Sequence, residues 1–358
     1  MINSLPPYLL YIFAIAGSFL VSLYAVKKII FITKDKKIFD IPDNIRKIHG
    51  AQIPSLGGIG IFTGYIIIAS FFMITDNSRW NYILVSSVIL FFTGIYDDLA
   101  NMRPLKKLIA QLIASAITIC FTVMPALYSD AAPEHNVLVY YGIITVLTIS
   151  CTFFINAFNF IDGIDGLACT LAILSTLVLG ILFAFGREPA TAAIIFSLTG
   201  ATIGLFYYNK APAKIYMGDT GSMLIGFNIF IFSVLWPVTS KTLNSSILDH
   251  SAILILIAVL FLPSYDAVRV FILRISKGIS PLKADRSHLH YYLLDAGFSH
   301  SKSVLIITAT NLLLIGLAFF LWPLNLAVVV LIYALVVSAV LVMTYKLRQK
   351  KLHEQSDI

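Results

Sequence analysis

Apolar residues fill eleven long windows of the chain, and short polar stretches separate them. A helix needs about 20 mostly apolar residues to cross the hydrocarbon of a bilayer. Windows of that size fall at 8–26, 53–75, 81–96, 108–127, 138–155, 167–185, 190–206, 222–238, 251–268, 304–322 and 326–344. Charge is almost absent inside them, the exception being Asp266 near the end of the ninth. In lipid the backbone polar groups must be satisfied within each segment, which leaves helices as the solution here. The pattern predicts an all-α fold, a polytopic membrane helix bundle of about 11 transmembrane helices.

Composition agrees with that picture. The chain is 59% hydrophobic and 12% charged, against roughly 25% charged in an average soluble domain. Basic residues set the expected orientation. All but Arg79, Arg187 and Lys241 of the 25 Lys and Arg fall in alternate loops or in the tail. That puts the N-terminus outside and the C-terminus in the cytoplasm, with the basic loops facing anionic headgroups. The bases are spread over several short loops and form no stripe, so no nucleic acid is expected as a partner. Lys27 and Lys28 follow the first window where a small-residue cleavage site would stand, so the first helix is expected to be retained. Cys120, Cys151 and Cys169 are scattered without CxxC spacing, which excludes a disulfide framework or a zinc site and leaves apolar packing.

One integral membrane domain, 1–358, accounts for the whole pattern. Its longest stretch outside a window, 269–303, is expected on the cytoplasmic side. Within it Ser287 is positioned to cap a helix through His290 and Leu294, and Gly297 to stop it. Residues 345–358 read as a solvated basic tail. No low-complexity segment is present, and no inverted repeat of the kind many carriers show.

Candidate chemistry gathers in four polar stretches, all on the predicted cytoplasmic side. Asp97-Asp98 closes the third window, where two carboxylates oppose the helix dipole and demand a compensating charge. Lys106, Lys107 or a divalent cation would supply it. In NAFNFIDGIDGLA, Asn156, Asn159, Asp162 and Asp165 recur every three residues, which on a helix forms one ridge of oxygen ligands. Gly163 and Gly166 allow close approach of a ligand or another backbone. GDTGS sets Asp219 at a helix start, where exposed amides favour anionic oxygens. His288 and His290 serve one site only if the segment starts non-helical, and Arg286 beside them has the forked donors suited to phosphate. Asp266, followed by Arg269 and Arg274, reads as a structural ion pair. An oxygen-rich site next to Lys and Arg, without cysteine ligands, points to Mg²⁺ with phosphates. Neither HExxH nor a Gx₄GK[ST] loop is present.

Together these stretches resemble the polyprenyl-phosphate N-acetylhexosamine-1-phosphate transferases, from about Asp40 to Gly297. The resemblance is carried by IPDNIRKIHGAQIPSLGGIGIF, YDDLANMRPLKKLIAQ, NAFNFIDGIDGLA, MGDTGSMLIG and GISPLKADRSHLHYYLLDAG, in that order. GDTGS and ADRSHLH are similar to the branch that starts O-antigen, enterobacterial common antigen and teichoic acid synthesis. One departure is Tyr291, at a position where that branch often has a third histidine. The resemblance implies a bacterial inner-membrane enzyme with a cytoplasmic site. It would transfer N-acetylhexosamine 1-phosphate, GlcNAc-1-phosphate first among candidates, from a UDP-N-acetylhexosamine to undecaprenyl phosphate and release UMP. It further implies Mg²⁺, with Mn²⁺ as a substitute, held by Asp219 and Asn159. Asp97, Asp98 and Lys107 would act on the lipid phosphate and the transferred phosphoryl group. His288, His290 and Arg286 would meet the sugar-phosphate end, Asn156, Asp162 and Asp165 the nucleotide or the loop, and Arg46 and His49 the lipid headgroup. The expected partners are the two substrates, the bilayer and, as a candidate, a second copy of the chain in a homodimer.

Two other readings compete. A transferase using UDP-N-acetylmuramoyl-pentapeptide shares the motifs, but that sister branch tends to show GDVGS and a run of three histidines. A secondary transporter would also be an apolar bundle with acidic residues, yet carriers usually bury them at the bilayer midplane in broken helices.

Overall fold

The computed structural model describes residues 6–36, 53–73, 79–128, 137–239, 247–280 and 285–356. Among these the chain is helical throughout: α1 Pro7–Asp35, α2 Gly57–Met73, α3 Arg79–Ala100, α4 Pro104–Thr118, α5 Met124–Leu127, α6 Val137–Ile161 and α7 Leu167–Phe185. Then follow α8 Pro189–Asn209, α9 Gly218–Thr239, α10 Ile247–Ser276, α11 Leu289–Asp295, α12 His300–Leu321 and α13 Leu326–Ser356. A wide π-helical turn, Ile119–Val123, joins α4 to α5 and makes them one continuous rod. Ten spans are long and apolar enough to cross a membrane; α2, with 17 residues, is a shorter apolar helix. Each of the eleven predicted windows therefore falls on a helix.

α9 sits at the centre: 83% of its most apolar stretch is buried, against 22% for α1 and for α13. Helices α2, α3, α6 and α7 pack on α9, while α8 packs on α1, α2 and α7. Small residues permit this closeness, as between helices in membranes generally. A β-carbon on Gly58 would collide with the backbone of Gly221, and one on Gly94 with that of Thr220. Inside the bundle, Tyr65 Oη donates to Asn228 Oδ1 at 3.1 Å and Asn228 Nδ2 to Ser87 Oγ at 3.5 Å, a polar link between α2, α9 and α3.

Three expectations change in the structure. The four-residue ridge is only half helical. α6 ends at Ile161, so Asn156 and Asn159 lie on it while Asp162 and Asp165 occupy the turn before α7. Ser287 does not cap α11. His288 is extended (φ −69°, ψ 152°) and holds the N-cap position, so the helix starts one residue later. Gly297 does terminate it, in the left-handed region at φ +95°. Phe298 N donates to Leu293 O at 3.1 Å and Gly297 N to Leu294 O at 2.8 Å, the paired bonds of a Schellman end. Third, the presumed loops are more helical than expected. α10 continues through Ser276, α12 begins at His300, and α13 runs through Ser356 across most of the basic tail.

Candidate active site

The end of α3, the start of α4, the end of α6 and the start of α9 converge on one point. Lys107, on the first turns of α4, places its ammonium 2.9 Å from Asp97 Oδ2 and 2.6 Å from Asp219 Oδ2. All three side chains are largely shielded from solvent. For Asp97, the compensating charge that an acidic pair at a helix end demands is this lysine. Asp97 Oδ1 accepts the Met102 N–H at 2.6 Å, which fixes the turn between α3 and α4.

Asp98 points the other way, onto the start of α9. Its carboxylate accepts the backbone N–H groups of Asp219 (2.7 Å) and Thr220 (3.0 Å) and the Thr220 hydroxyl (2.5 Å). The first amides of a helix lack intrahelical partners and carry the positive end of its dipole, so a carboxylate there is a favourable cap. Here the cap comes from another helix. Gly218, at φ +75°, leaves no space for a side chain between the Asp98 carboxylate and Ser55 O.

From α6, Asn159 donates to Asp219 Oδ1 and to Ser222 Oγ (2.7 Å). One turn earlier, Asn156 Nδ2 donates to Gln111 Oε1 at 2.7 Å. Asp162, in the turn, accepts the Gly218 N–H; burial, then the charges of Asp219 and Asp165, push its carboxyl up to about 7. Asp165 instead ties loops together, taking Ala213 N–H at 3.1 Å and lying 3.4 Å from His300 Nδ1.

A second cluster holds the histidines. His288 Nδ1 lies 2.8 Å from Asp266 Oδ2, and Asp266 Oδ1 accepts from Arg269 at 2.7 Å. The Asp266 ion pair expected from sequence is present, with His288 as a further member. The His288 and His290 rings stack at 5.7 Å and 4° because the extended backbone at His288 defeats the opposed directions a helix would impose. A β-carbon on Gly163 would collide with His290 Nε2, so this glycine brings the histidine against the Asp162–Gly166 turn. Arg286 pairs with Asp295 at 2.8 Å and lies over the Tyr291 ring at 4.8 Å. Arg274 donates to Asp285 at 2.9 Å; burial works against the charged form, but the guanidinium and the Ser287 N–H hold that carboxyl down at about 2.

Comparison with known proteins gives this arrangement a relationship. The family model described as glycosyl transferase family 4 matches residues 80–237. A probable undecaprenyl-phosphate N-acetylglucosaminyl 1-phosphate transferase of Bacillus subtilis is 34% identical over 306 residues, spanning 82% of this chain and 81% of its own. The chain belongs to glycosyl transferase family 4. Other relatives include the decaprenyl-phosphate N-acetylglucosaminephosphotransferase of Mycobacterium tuberculosis H37Rv, 29% identical over 73% of this chain and 70% of its own. The undecaprenyl-phosphate alpha-N-acetylglucosaminyl 1-phosphate transferase of Yersinia pestis is 29% identical over 76% and 73%.

In this family 4 member the geometry gathers Asp97, Asp98, Lys107, Asn156, Asn159, Asp162 and Asp219 about the start of α9. His288, His290 and Arg286 form a neighbouring cluster joined through Gly163, and Asp165 lies at the loops between them. Arg46 and His49 lie outside the described residues. Gln111 escapes a reading of the sequence because it is uncharged and sits inside an apolar helix. Its one signal is the four-residue spacing from Lys107, which puts both on one face. Asp295 and Arg348 escape it too, since nothing local links residues more than fifty apart.

Proposed function

We propose that the protein transfers N-acetylglucosamine 1-phosphate from its UDP derivative to undecaprenyl phosphate, releasing UMP, as the first membrane step of a cell-surface polysaccharide. The observation that carries this reading is the Asp97–Lys107–Asp219 cluster at the start of α9, in a chain whose similar proteins bear names of that activity. An oxygen of the lipid phosphate attacks the β-phosphorus of the nucleotide sugar. The bond from that phosphorus to the bridging oxygen breaks, and UMP leaves with the oxygen. Charge in such a transfer spreads over the phosphoryl oxygens, so positioning and electrostatics supply most of the acceleration.

Each residue has a part that its contacts suit. Lys107 neutralises phosphate charge and moves off Asp97 and Asp219 when a stronger electrostatic partner enters. Asp98, occupied by three hydrogen bonds, holds the start of α9 so that Asp219 faces the site. Asp97 orients the attacking phosphate, which with a second pKa near 6 is already mostly ionised at neutral pH and needs no strong base. The His288–His290 segment and Arg286 receive the sugar-phosphate end, and the turn with Asp162 the nucleotide.

A divalent cation fits these residues. Two carboxylates already converge on one cationic group, the Lys107 ammonium, and half a turn of the Asn159 amide aims its oxygen at the same point. Mg²⁺ keeps several waters and takes few protein ligands beside phosphates, so Asp219 and Asn159 with Asp97 near them make a sufficient set, with Mn²⁺ as a substitute. Such an ion would offset the charge of the diphosphate and of the departing UMP. The ends of the helices bearing the site are also the Lys- and Arg-rich ends, which supports a site on the cytoplasmic side of a bacterial inner membrane.

The test is UMP release by purified protein given undecaprenyl phosphate, Mg²⁺ and, separately, UDP-GlcNAc, UDP-GalNAc or UDP-MurNAc-pentapeptide. UMP with UDP-GlcNAc, lost in Asp219→Asn, is the expected result. Turnover with the pentapeptide donor alone would move the chain to the peptidoglycan branch, and no UMP from any donor would overturn the reading.

A further inference from the structure

Around the histidines the side chains close into a ring of ion pairs and aromatic contacts. Starting at Asp266, the path runs to Arg269 (2.7 Å), whose guanidinium lies 5.3 Å over the Tyr292 ring. Arg348 lies over the same ring at 4.8 Å and pairs with Asp295 Oδ2 at 3.1 Å. The other oxygen of Asp295 takes Arg286 at 2.8 Å, and Arg286 covers Tyr291 at 4.8 Å. Tyr291 meets the His290 ring at 4.2 Å, His290 stacks on His288, and His288 returns to Asp266.

Three of the elements in this ring are near one another in sequence: the end of α10, the 285–288 segment and α11. The fourth is the charged end of α13, which contributes Arg348 from more than fifty residues away. Beside it Tyr345 packs on Tyr292 at 6.3 Å, and the Lys351 ammonium fills the space over Gly297 where a β-carbon would stand, at the carbonyl end of α11. Nothing in the proposed reaction calls for a basic helix end at this place. The contacts of Tyr345, Arg348 and Lys351 described here are with residues that carry the His segment.

We infer that Arg348 is a positioning residue for the His segment, acting through Asp295 and Tyr292 on Arg286 and His290. Asp295 gives one oxygen to each arginine, so Arg348 fixes the rotamer in which Asp295 can hold Arg286. Arg286 in turn presses Tyr291 against His290. The planar guanidinium matters as much as the charge, because it pairs and stacks at once, which an ammonium does less well. Tyr291 is part of the same device: its ring acts as the platform between Arg286 and His290.

The test uses full-length protein in detergent and has two arms, of which only the kinetic one rests on the proposed function. Hydrogen–deuterium exchange is compared among wild type, Arg348→Ala, Arg348→Lys and Asp295→Ala. Arg348→Ala and Asp295→Ala should speed exchange across 285–297 about tenfold while the start of α9 stays unchanged, with Arg348→Lys between them and wild type. In the kinetic arm both alanine variants should raise the KM for UDP-GlcNAc about tenfold, leaving the KM for undecaprenyl phosphate within about twofold. The double variant should be no worse than either single one, since both break the same ring. Unchanged exchange at 285–297, or a fall in kcat with both KM values intact, would overturn the inference. Exchange that responds as stated in a protein that turns over no UDP-sugar would uphold the positioning and defeat the proposed reaction instead.

Discussion

The two charged clusters at this end of the bundle are built on opposite principles. At the start of α9 four helices converge, and the central polar groups reach directly from one helix to another: Lys107 to Asp97 and Asp219, Asp98 to the amides of α9, Asn159 to Asp219. The helix backbones themselves leave little room here, because backbone sits on backbone at Gly58 and Gly94. Around the histidines the partners are long side chains laid over aromatic faces, held at 4–6 Å by guanidinium planes. Geometry set by backbone contact tolerates almost no substitution, whereas geometry set by stacked side chains can be retuned residue by residue. That contrast explains how a tyrosine can stand at position 291 while the polar residues about α9 are tied to one another.

The largest effect that would sharpen the contrast comes from Asp219→Asn. It should lower UMP release about a hundredfold to a thousandfold, on the scale of losing a preorganised electrostatic contact in a transition state. The thermal unfolding of the variant in detergent should stay within a few degrees of wild type. Gly94→Ala is next. Its methyl group meets the backbone of Thr220, and overpacking of this sort costs about 1–3 kcal/mol, readable as a lowered unfolding temperature together with lost activity. Asp98→Ala then tests the cap: a carboxylate whose part is to hold the start of α9 implies a stability loss of about 1 kcal/mol, and a variant that loses rate with unfolding unchanged would break the comparison.

Smaller effects are expected on the histidine side. Tyr291→Ala should cost a few-fold in donor KM, from a cation–π contact worth about 0.5–1 kcal/mol, and Tyr291→His should restore most of it. The turn between the clusters should respond to pH. The Asp162 carboxyl is raised to about 7 in the folded chain, so its stabilising share is present in full below about 4 and is lost as pH rises through 7. In EDTA the unfolding temperature of wild type should therefore drop between pH 6 and 8 relative to Asp162→Asn, and parallel curves would refute the shift.

Much of this architecture is legible in the order of residues alone, for a physical reason. Lipid forces apolar residues into helix-length windows and drives charge to their ends, so the span pattern and the polar stretches between spans are local signals. Relations between distant stretches are not. That Asp98 caps α9 cannot be read from Asp97-Asp98, since the amides it binds lie more than 120 positions away. Ser287 has the right residue type to cap α11, but the backbone at His288 decides where the helix starts. The tail reads as solvated because it is basic, yet Arg348 and Lys351 spend their charge on α11.

The seating of α1 has a practical consequence. Ser22 Oγ donates to Ala201 O at 2.7 Å, and β-carbons on Gly60, Gly64, Gly200 or Gly204 would strike α1. Although mostly exposed and free of charge until Lys27, this helix is inlaid between α2 and α8 rather than floating beside them. A tag placed ahead of Pro7 leaves that inlay untouched, whereas exchanging the helix for a generic signal anchor of equal length would leave two glycine-lined troughs unfilled. Expression schemes that treat the first span as a disposable leader should yield a protein that inserts but does not assemble.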